Sequence, residues 1–299
     1  MLSVLSVGIG YRVSTGLKLN FAKRSALKAH YLANAGVNLA ISEIKKLSIA
    51  STPDTLLDKW ADNEDLFKKI TINDNTQDFA TVNSADGKYG VVDEERKINI
   101  NTASKELLTV LLEELDLASP EEVADNILIW RGDAPDTDKI YEDMGYLCKG
   151  NKFSNIEELK LVKGIGDEDF QKLSDIITVS GSVKLNINTV SLKVLTIFAR
   201  SIAMKPDINV NPDSGNSLAS NLIALRDSNG PFNLLTGPIA APISLDAQAQ
   251  TIFSALLPDL VTQSDNFLIE VAGNSGKIQS KISAIYNRTD DTITEWHES

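Results

Sequence analysis

The stretch KININTASKELL, Lys97 to Leu108, returns as KLNINTVSLKVL at Lys184 to Leu195. Aligned without gaps, the Lys, one Ile, both Asn, the Thr, the Ser and the final Leu coincide. Alternation of Ile or Leu with Asn fits a short extended segment, and the Asn and Thr oxygens that follow are suited to cap the free N–H groups of a helix. Each copy therefore reads as a strand-to-helix joint. Leu128-Ile129-Trp130-Arg131 follows the first copy and Ile223-Ala224-Leu225-Arg226 the second; Lys152-Phe153 and Pro231-Phe232 come after them. The block is a degenerate tandem repeat of two helical modules, residues 101–180 and 185–262.

Outside the repeat the pattern changes. Residues 1–50 lack proline and are rich in Ala, Leu and Lys, which predicts one helix of about 70 Å ended by Ser51, Thr52 and Pro53. Leu27, Tyr31, Leu32, Ala35, Leu39 and Ser42 would form its apolar stripe. Lys18, Lys23, Arg24 and Lys28 make its middle basic, and Ala33, Ala35, Gly36 and Ala40 permit close packing. A short helix is expected over Thr55 to Lys69, with strands at Phe79–Val82 and Lys88–Asp93 around an Ala85-Asp86-Gly87 turn. Strand patterns return at Phe267 to Val271, Ile278 to Tyr286 and Ile293 to Trp296, with turns at Gly273–Gly276 and Thr289–Asp291. The fold class is α+β: a helix packed on a sheet formed by 51–100 and 263–299, interrupted by an inserted helical domain, 101–262.

Composition narrows the function. A 299-residue chain with 42% hydrophobic residues can bury one large core or two ordinary ones. Its 41 acidic and 29 basic residues leave a formal charge of -12, which disfavours nucleic acid and favours cationic partners or divalent metal. Cys148 is the single cysteine, so an internal disulfide is excluded; the site reads as a small buried position. The opening MLSVLSVGIGY is apolar but too short to span a bilayer, and lacks the basic region of a secretory signal. It fits a buried helix start, an interfacial anchor or the tail of a membrane segment.

Candidate sites are few. Leu161-Val162-Lys163-Gly164-Ile165-Gly166 resembles the hairpin of helix-hairpin-helix modules, whose glycines let backbone N–H groups approach a DNA phosphate. Against that, Asp167, Glu168 and Asp169 follow at once, and Ile98 to Thr178 holds seven Lys and one Arg against eighteen acidic residues. The hairpin thus reads as a protein-facing or structural unit. His30 and His297 are expected as solvated surface groups, with no nucleophile–base pair to make an enzyme. Trp60, Trp130 and Trp296 are expected as core anchors. Ser119-Pro120-Glu121-Glu122 and Ser154-Asn155-Ile156-Glu157 read as capping boxes. In WRGDAPDTDKIYED the carboxylates Asp133, Asp136, Asp138 and Glu142 are candidate calcium ligands, because calcium takes several oxygens from an irregular segment. DINVNPDSGNS opens like an EF-hand loop, then fails at Pro212 and Leu218.

Taken in order, KAHYLANAGVNLA, VVDEERKININTASKELL, ILIWRGD, FSNIEELKLVKGI, the second KLNINT and the terminal ITEWHES resemble the minor pseudopilin K (GspK) family of type II secretion systems over nearly the whole chain. The resemblance implies a pilin-like fold with an inserted domain of two SAM-like or helix-hairpin-helix-like modules. It implies a place at the tip of a periplasmic pseudopilus, with the I- and J-type minor pseudopilins, the major pseudopilin and secreted substrates as partners. It implies inner-membrane anchoring through a complete N-terminal helix, with Met1 then an internal start or a boundary, and calcium in the helical domain. The competing reading is a helix-hairpin-helix DNA-binding competence or pilus-associated protein, which the acidic charge opposes.

Overall fold

Between Leu2 and Ser48 neither proline nor a turn signal breaks the backbone ladder, and the chain runs as one 47-residue helix, α1 (Leu2–Ser48). The computed structural model describes residues 2–48, 52–72, 77–84, 87–137, 139–181, 183–208, 210–233 and 245–299, the side chains of 2–9, 47 and 48 excepted. After α1 come α2 (Glu64–Phe67), β1 (Asp78–Asn83), β2 (Val92–Asp93), β3 (Ile98–Asn99), α3 (Lys105–Glu114), α4 (Pro120–Trp130), α5 (Ile140–Asp143), α6 (Asp167–Ser174) and β4 (Ile177–Thr178). Then follow β5 (Leu185–Asn186), α7 (Leu192–Ala203), α8 (Pro212–Asn229), α9 (Ala247–Leu256), β6 (Leu260–Val261), β7 (Asn266–Ser275), β8 (Ile278–Asn287) and β9 (Thr292–Glu298). The chain divides into two units: 1–51, 57–92 and 267–299 form one, and 52–56 and 93–266 the other.

In the first unit α1 lies on a sheet of order β1-β7-β8-β9, with β2 also paired to β7. The edge pairs are antiparallel, Phe79 opposite Asn274 and Ala284 opposite Trp296. Along β7, Phe267, Ile269 and Val271 are buried while Glu270 is exposed, the period-two burial of a sheet with one covered face. The buried face of α1 is made of its small residues: Ala29, Ala33, Gly36 and Ala40, with Leu32, Val37 and Ile44. Leu27 and Tyr31, expected in the stripe, are 57% and 65% exposed, and Ser42 is also exposed. Close approach explains the inversion. A Cβ on Gly273 would sit 2.0 Å from the Ala29 carbonyl oxygen, and one on Gly36 would meet Val271 at 2.6 Å. At these two points only small side chains fit between helix and strand.

Other expectations shift locally. The helix predicted over 55–69 is reduced to the single turn α2, capped by the Asn63 side chain on Leu66 N. Of the strand expected at 88–93 only β2 forms. Gly87 (φ +74°) accompanies the return of the chain, where Ser84 N donates to Lys88 O; Ala85 and Asp86 lie outside the described residues. Gly273 is inside β7 rather than in a turn; the turn is made by Gly276, φ +60°. Trp60 is fully buried and meets Phe267 edge-on at 5.2 Å, whereas Trp296, on the edge strand β9, is 36% exposed and anchors no core. In this unit Leu32, Trp60, Phe67, Ile269 and Tyr286 belong to one apolar cluster.

The second unit holds the repeat around its own cluster, which includes Leu108, Trp130, Leu195 and Leu256. The strand of KININ does not join the large sheet. β3 pairs in parallel with β4, Ile98 opposite Ile177, and β5 pairs in parallel with β6, Leu185 opposite Leu260. Each module is thus a closed loop, from opening strand through helices to a closing strand beside the first.

Candidate functional site

The repeated side chains make matching bonds in both modules. Ser104 and Ser191 are the helix N-caps, each Oγ accepting from the backbone N–H three residues on at 3.3 Å. The asparagines, expected as caps, do something else. Asn99 Oδ1 accepts from Asn101 N at 2.9 Å and Asn186 Oδ1 from Asn188 N at 3.0 Å, turning the chain out of each strand. Asn101 Oδ1 then accepts from Phe153 N at 2.7 Å while its Nδ2 donates to Phe153 O at 2.9 Å. Asn188 treats Phe232 alike, at 2.8 and 3.0 Å. Arg131 donates to the carbonyls of Ile100 and Ala103, and Arg226 to those of Ile187 and Val190, the corresponding positions of the repeat. Asn99 Nδ2 also donates to the Ser180 and Gly181 carbonyls, so in the first module Asn99, Asn101 and Arg131 all tie the joint to distant chain.

The second joint carries an extra layer. Asn186 Nδ2 donates to Asp93 Oδ2 at 3.2 Å and to Ser264 Oγ at 2.8 Å; Thr189 and Ser264 hydroxyls also donate to Asp93. Asp54 accepts from Ser264 N, and Glu95 accepts from both Asn266 N and its side-chain amide. Asp54, Asp93 and Glu95 are almost wholly buried. Burial pushes the Asp93 carboxyl up to about 6, against the downward pull of the Thr189 and Ser264 hydroxyls. Burial, and then the neighbouring Asp93, push Glu95 up to about 8. These residues went unnoticed in the sequence, although three acids inside VVDEERKINI interrupt an apolar run, the available signal.

Among the described residues, the calcium candidates Asp133, Asp136 and Glu142 form no common group. Asp133 pairs with Arg131, Asp136 Oδ1 accepts from Ile140 N at 2.9 Å, and Glu142 pairs with Lys139 at 3.1 Å. Asp138 lies outside the described residues, and among the described residues no three His, Cys, Asp or Glu side chains form a group able to hold a metal. Cys148 is half-buried, its thiol against the Ile129 carbonyl.

Neither predicted capping box forms as expected. Ser119 has φ 52° and makes no side-chain cap; only Pro120 keeps its first-turn place. At the other, Asn155 is the cap of a 3-10 helix (Ile156–Leu161), and Glu158 rather than Glu157 reaches back to Ser154 N. In the LVKGIG hairpin Gly164 has φ +93°, and Gly166 N donates to Asp169 Oδ2 at 3.2 Å. A carboxylate of the chain itself thus accepts from one backbone N–H of the hairpin.

On α1, Tyr11, Val13, Leu17, Leu19, Phe21, Leu27 and Tyr31 are exposed, with Val13, Leu27 and Tyr31 roughly opposite the buried Ala29–Ala33–Gly36–Ala40 line. His30 is half-buried, Nδ1 3.6 Å from Glu298 and Nε2 3.1 Å from Asn34 Nδ2, whereas His297 is exposed. No described helix is long and apolar enough to cross a membrane.

Among solved structures, a chain of the GspK–GspI–GspJ complex from the Type 2 Secretion System of enterotoxigenic Escherichia coli is similar, with a TM-score of 0.69 at 14% identity. The likeness covers 94% of this chain and 99% of that one. The fold is GspK-like. It is a pilin-like fold, a long N-terminal helix on an antiparallel sheet with a helical insertion, and the likeness spans insertion and sheet together. No protein-family model and no curated protein sequence matches the chain.

Proposed function

We propose that this protein is a minor pseudopilin of a type II secretion system, acting at the tip of the periplasmic pseudopilus with I- and J-type minor pseudopilins. The observation that carries the reading is the end-to-end fold likeness to a chain of the GspK–GspI–GspJ complex. Two physical features agree with it. The exposed Val13, Leu17, Phe21, Leu27 and Tyr31 leave apolar surface on α1 available to helices of neighbouring subunits. A filament subunit with an inserted unit spanning 93–266, itself the size of a typical domain, suits an end of a stack, where no identical neighbour must fit above it. Assembly initiation, contact with the major pseudopilin and with secreted substrates, and anchoring in the inner membrane through a complete N-terminal helix belong to the same proposal. So does calcium in the 133–142 segment, which would have to exchange the Arg131 and Lys139 ion pairs for metal bonds.

The test is co-purification of the chain with I- and J-type minor pseudopilins, with α1 intact and with Phe21 and Tyr31 changed to Ser. A ternary complex weakened by the changes is expected. No complex with either partner would sink the reading. For calcium, a melting temperature higher in excess calcium than in chelator supports the site and equal temperatures reject it.

A further inference from the structure

The two modules are matched at the joint but not in length beyond it. Five residues separate Arg226 from Phe232 in the second module, and twenty-one separate Arg131 from Phe153 in the first. Since both ends of each interval are pinned by the same bonds to the joint, the additional residues form an excursion that closing the module does not require. This excursion is nevertheless tied down. Tyr141 is fully buried and donates its hydroxyl to Asn126 O at 2.8 Å, Tyr146 donates to Leu161 O at 2.6 Å, and both rings meet Trp130.

Held in this way, it shows apolar groups to solvent. Met144 is 44% and Leu147 77% exposed, and Leu161, bonded to Tyr146, is 45% exposed. Met144 borders a groove of about 640 Å³ whose walls include the half-buried Ile129 and Ile140 and the carboxylates Glu122, Asp125 and Asp143. Lys163 also borders it, 3.6 Å from Glu122, and Lys105 pairs with Asp125, so Asp143 is the groove carboxylate with no ion pair recorded among the described residues. The surrounding segment, Ile98 to Thr178, is strongly acidic.

We propose that the groove lined by Ile129, Ile140, Asp143 and Met144 is a docking platform for a short segment of another protein in which Lys or Arg flanks one or two apolar side chains. The apolar wall takes the anchor, and methionine adapts to its shape. The carboxylates at its edge select positive flanks and speed encounter. A second copy of this chain is a poor occupant, because each carries a formal charge of -12. The inference goes beyond the pseudopilin reading and does not rest on it.

The test uses the full chain and a fluorescein-labelled synthetic peptide of alternating leucine and lysine pairs, with the leucine–glutamate peptide as comparison, followed by fluorescence anisotropy. Saturable binding of the lysine peptide is expected, weakened about tenfold or more by Asp143→Lys and by Met144→Ser, and unchanged by Asp213→Lys at an exposed position of α8. Thermal melts of each variant establish that it is folded; Glu122→Lys replaces any that is not. The proposal is overturned by absence of saturable binding, by equal binding of the glutamate peptide, or by an Asp213→Lys loss equal to that of Asp143→Lys, which would mean attraction to the acidic surface at large. Self-association of the free chain through this groove would also overturn it.

Discussion

Asn101 grips Phe153 by both of its backbone polar groups, and Asn188 grips Phe232 in the same way. Each clamp spans a stretch of chain that must be ordered before the bonds can form, so the pair defines the closed state of its module. Truncation leaves a buried N–H and C=O without partners. Asn188→Ala should therefore cost about 1–3 kcal/mol, and Asn101→Ala less, because Asn101 is not fully buried. Urea unfolding checks this: the midpoint should fall at constant slope, and an unchanged midpoint for Asn188→Ala would remove the clamp from the account.

The carboxylates beneath the second joint make stability depend on pH. Asp93 and Glu95 are held above the ordinary carboxylate range, so the folded chain binds their protons more tightly than the unfolded chain. Asp54 beside Asp93 and Asp265 beside Glu95 push in the same direction. Their contribution is complete below about pH 4. It is lost as pH rises through about 6 and then about 8. Unfolding free energy from these groups should decline across that window, and Glu95→Gln should flatten the upper part. A slope identical in parent and variant counts against the assignment.

Gly273 is a steric position rather than a turn. Gly273→Ala would drive a Cβ onto the backbone of α1 at Ala29 and Ala33, where neither partner can rotate away. Destabilisation of about 1–3 kcal/mol is expected, the usual size for forced overpacking. Hydrogen exchange should show the loss in β7 and α1 with protection of α3 and α7 retained; uniform loss everywhere would contradict it.

Two clusters that share no residue predict that one unit survives without the other. Joining Val92 to Phe267 through a short glycine–serine linker should leave the helix-and-sheet unit with cooperative thermal unfolding. A broad, non-cooperative transition would show that the helical unit is needed for that core.

Much of this was readable in the chain. The tandem copies announced two modules because matching a strand, a cap and an arginine needs particular side chains at particular spacings. The alternation in β7 marked a half-covered sheet for the same reason. What the asparagines hold was not readable: their partners lie about 40 to 80 residues away, at Phe232, Phe153 and Ser180, and hydrogen-bond chemistry alone suits capping equally well. The buried face of α1 is legible only in part: Leu32 of the expected stripe is buried, but beside the strand it is the small residues that are covered, because the backbone there comes too close for larger ones. Leu27 and Tyr31 look like core residues and are outside; Gly36 and Ala40 look like spacers and are inside.

The order of elements, the duplication and the acidic surroundings of the Leu161–Gly166 hairpin are legible in the chain, since they follow from local propensity, repetition and net charge. Packing of distant segments sets where the asparagines reach, which side of α1 is covered and that Asp54, Asp93 and Glu95 are buried together. Those depend on which distant segments meet, and an amide, a glycine or a carboxylate has no preference among partners until the backbone brings one within bonding distance.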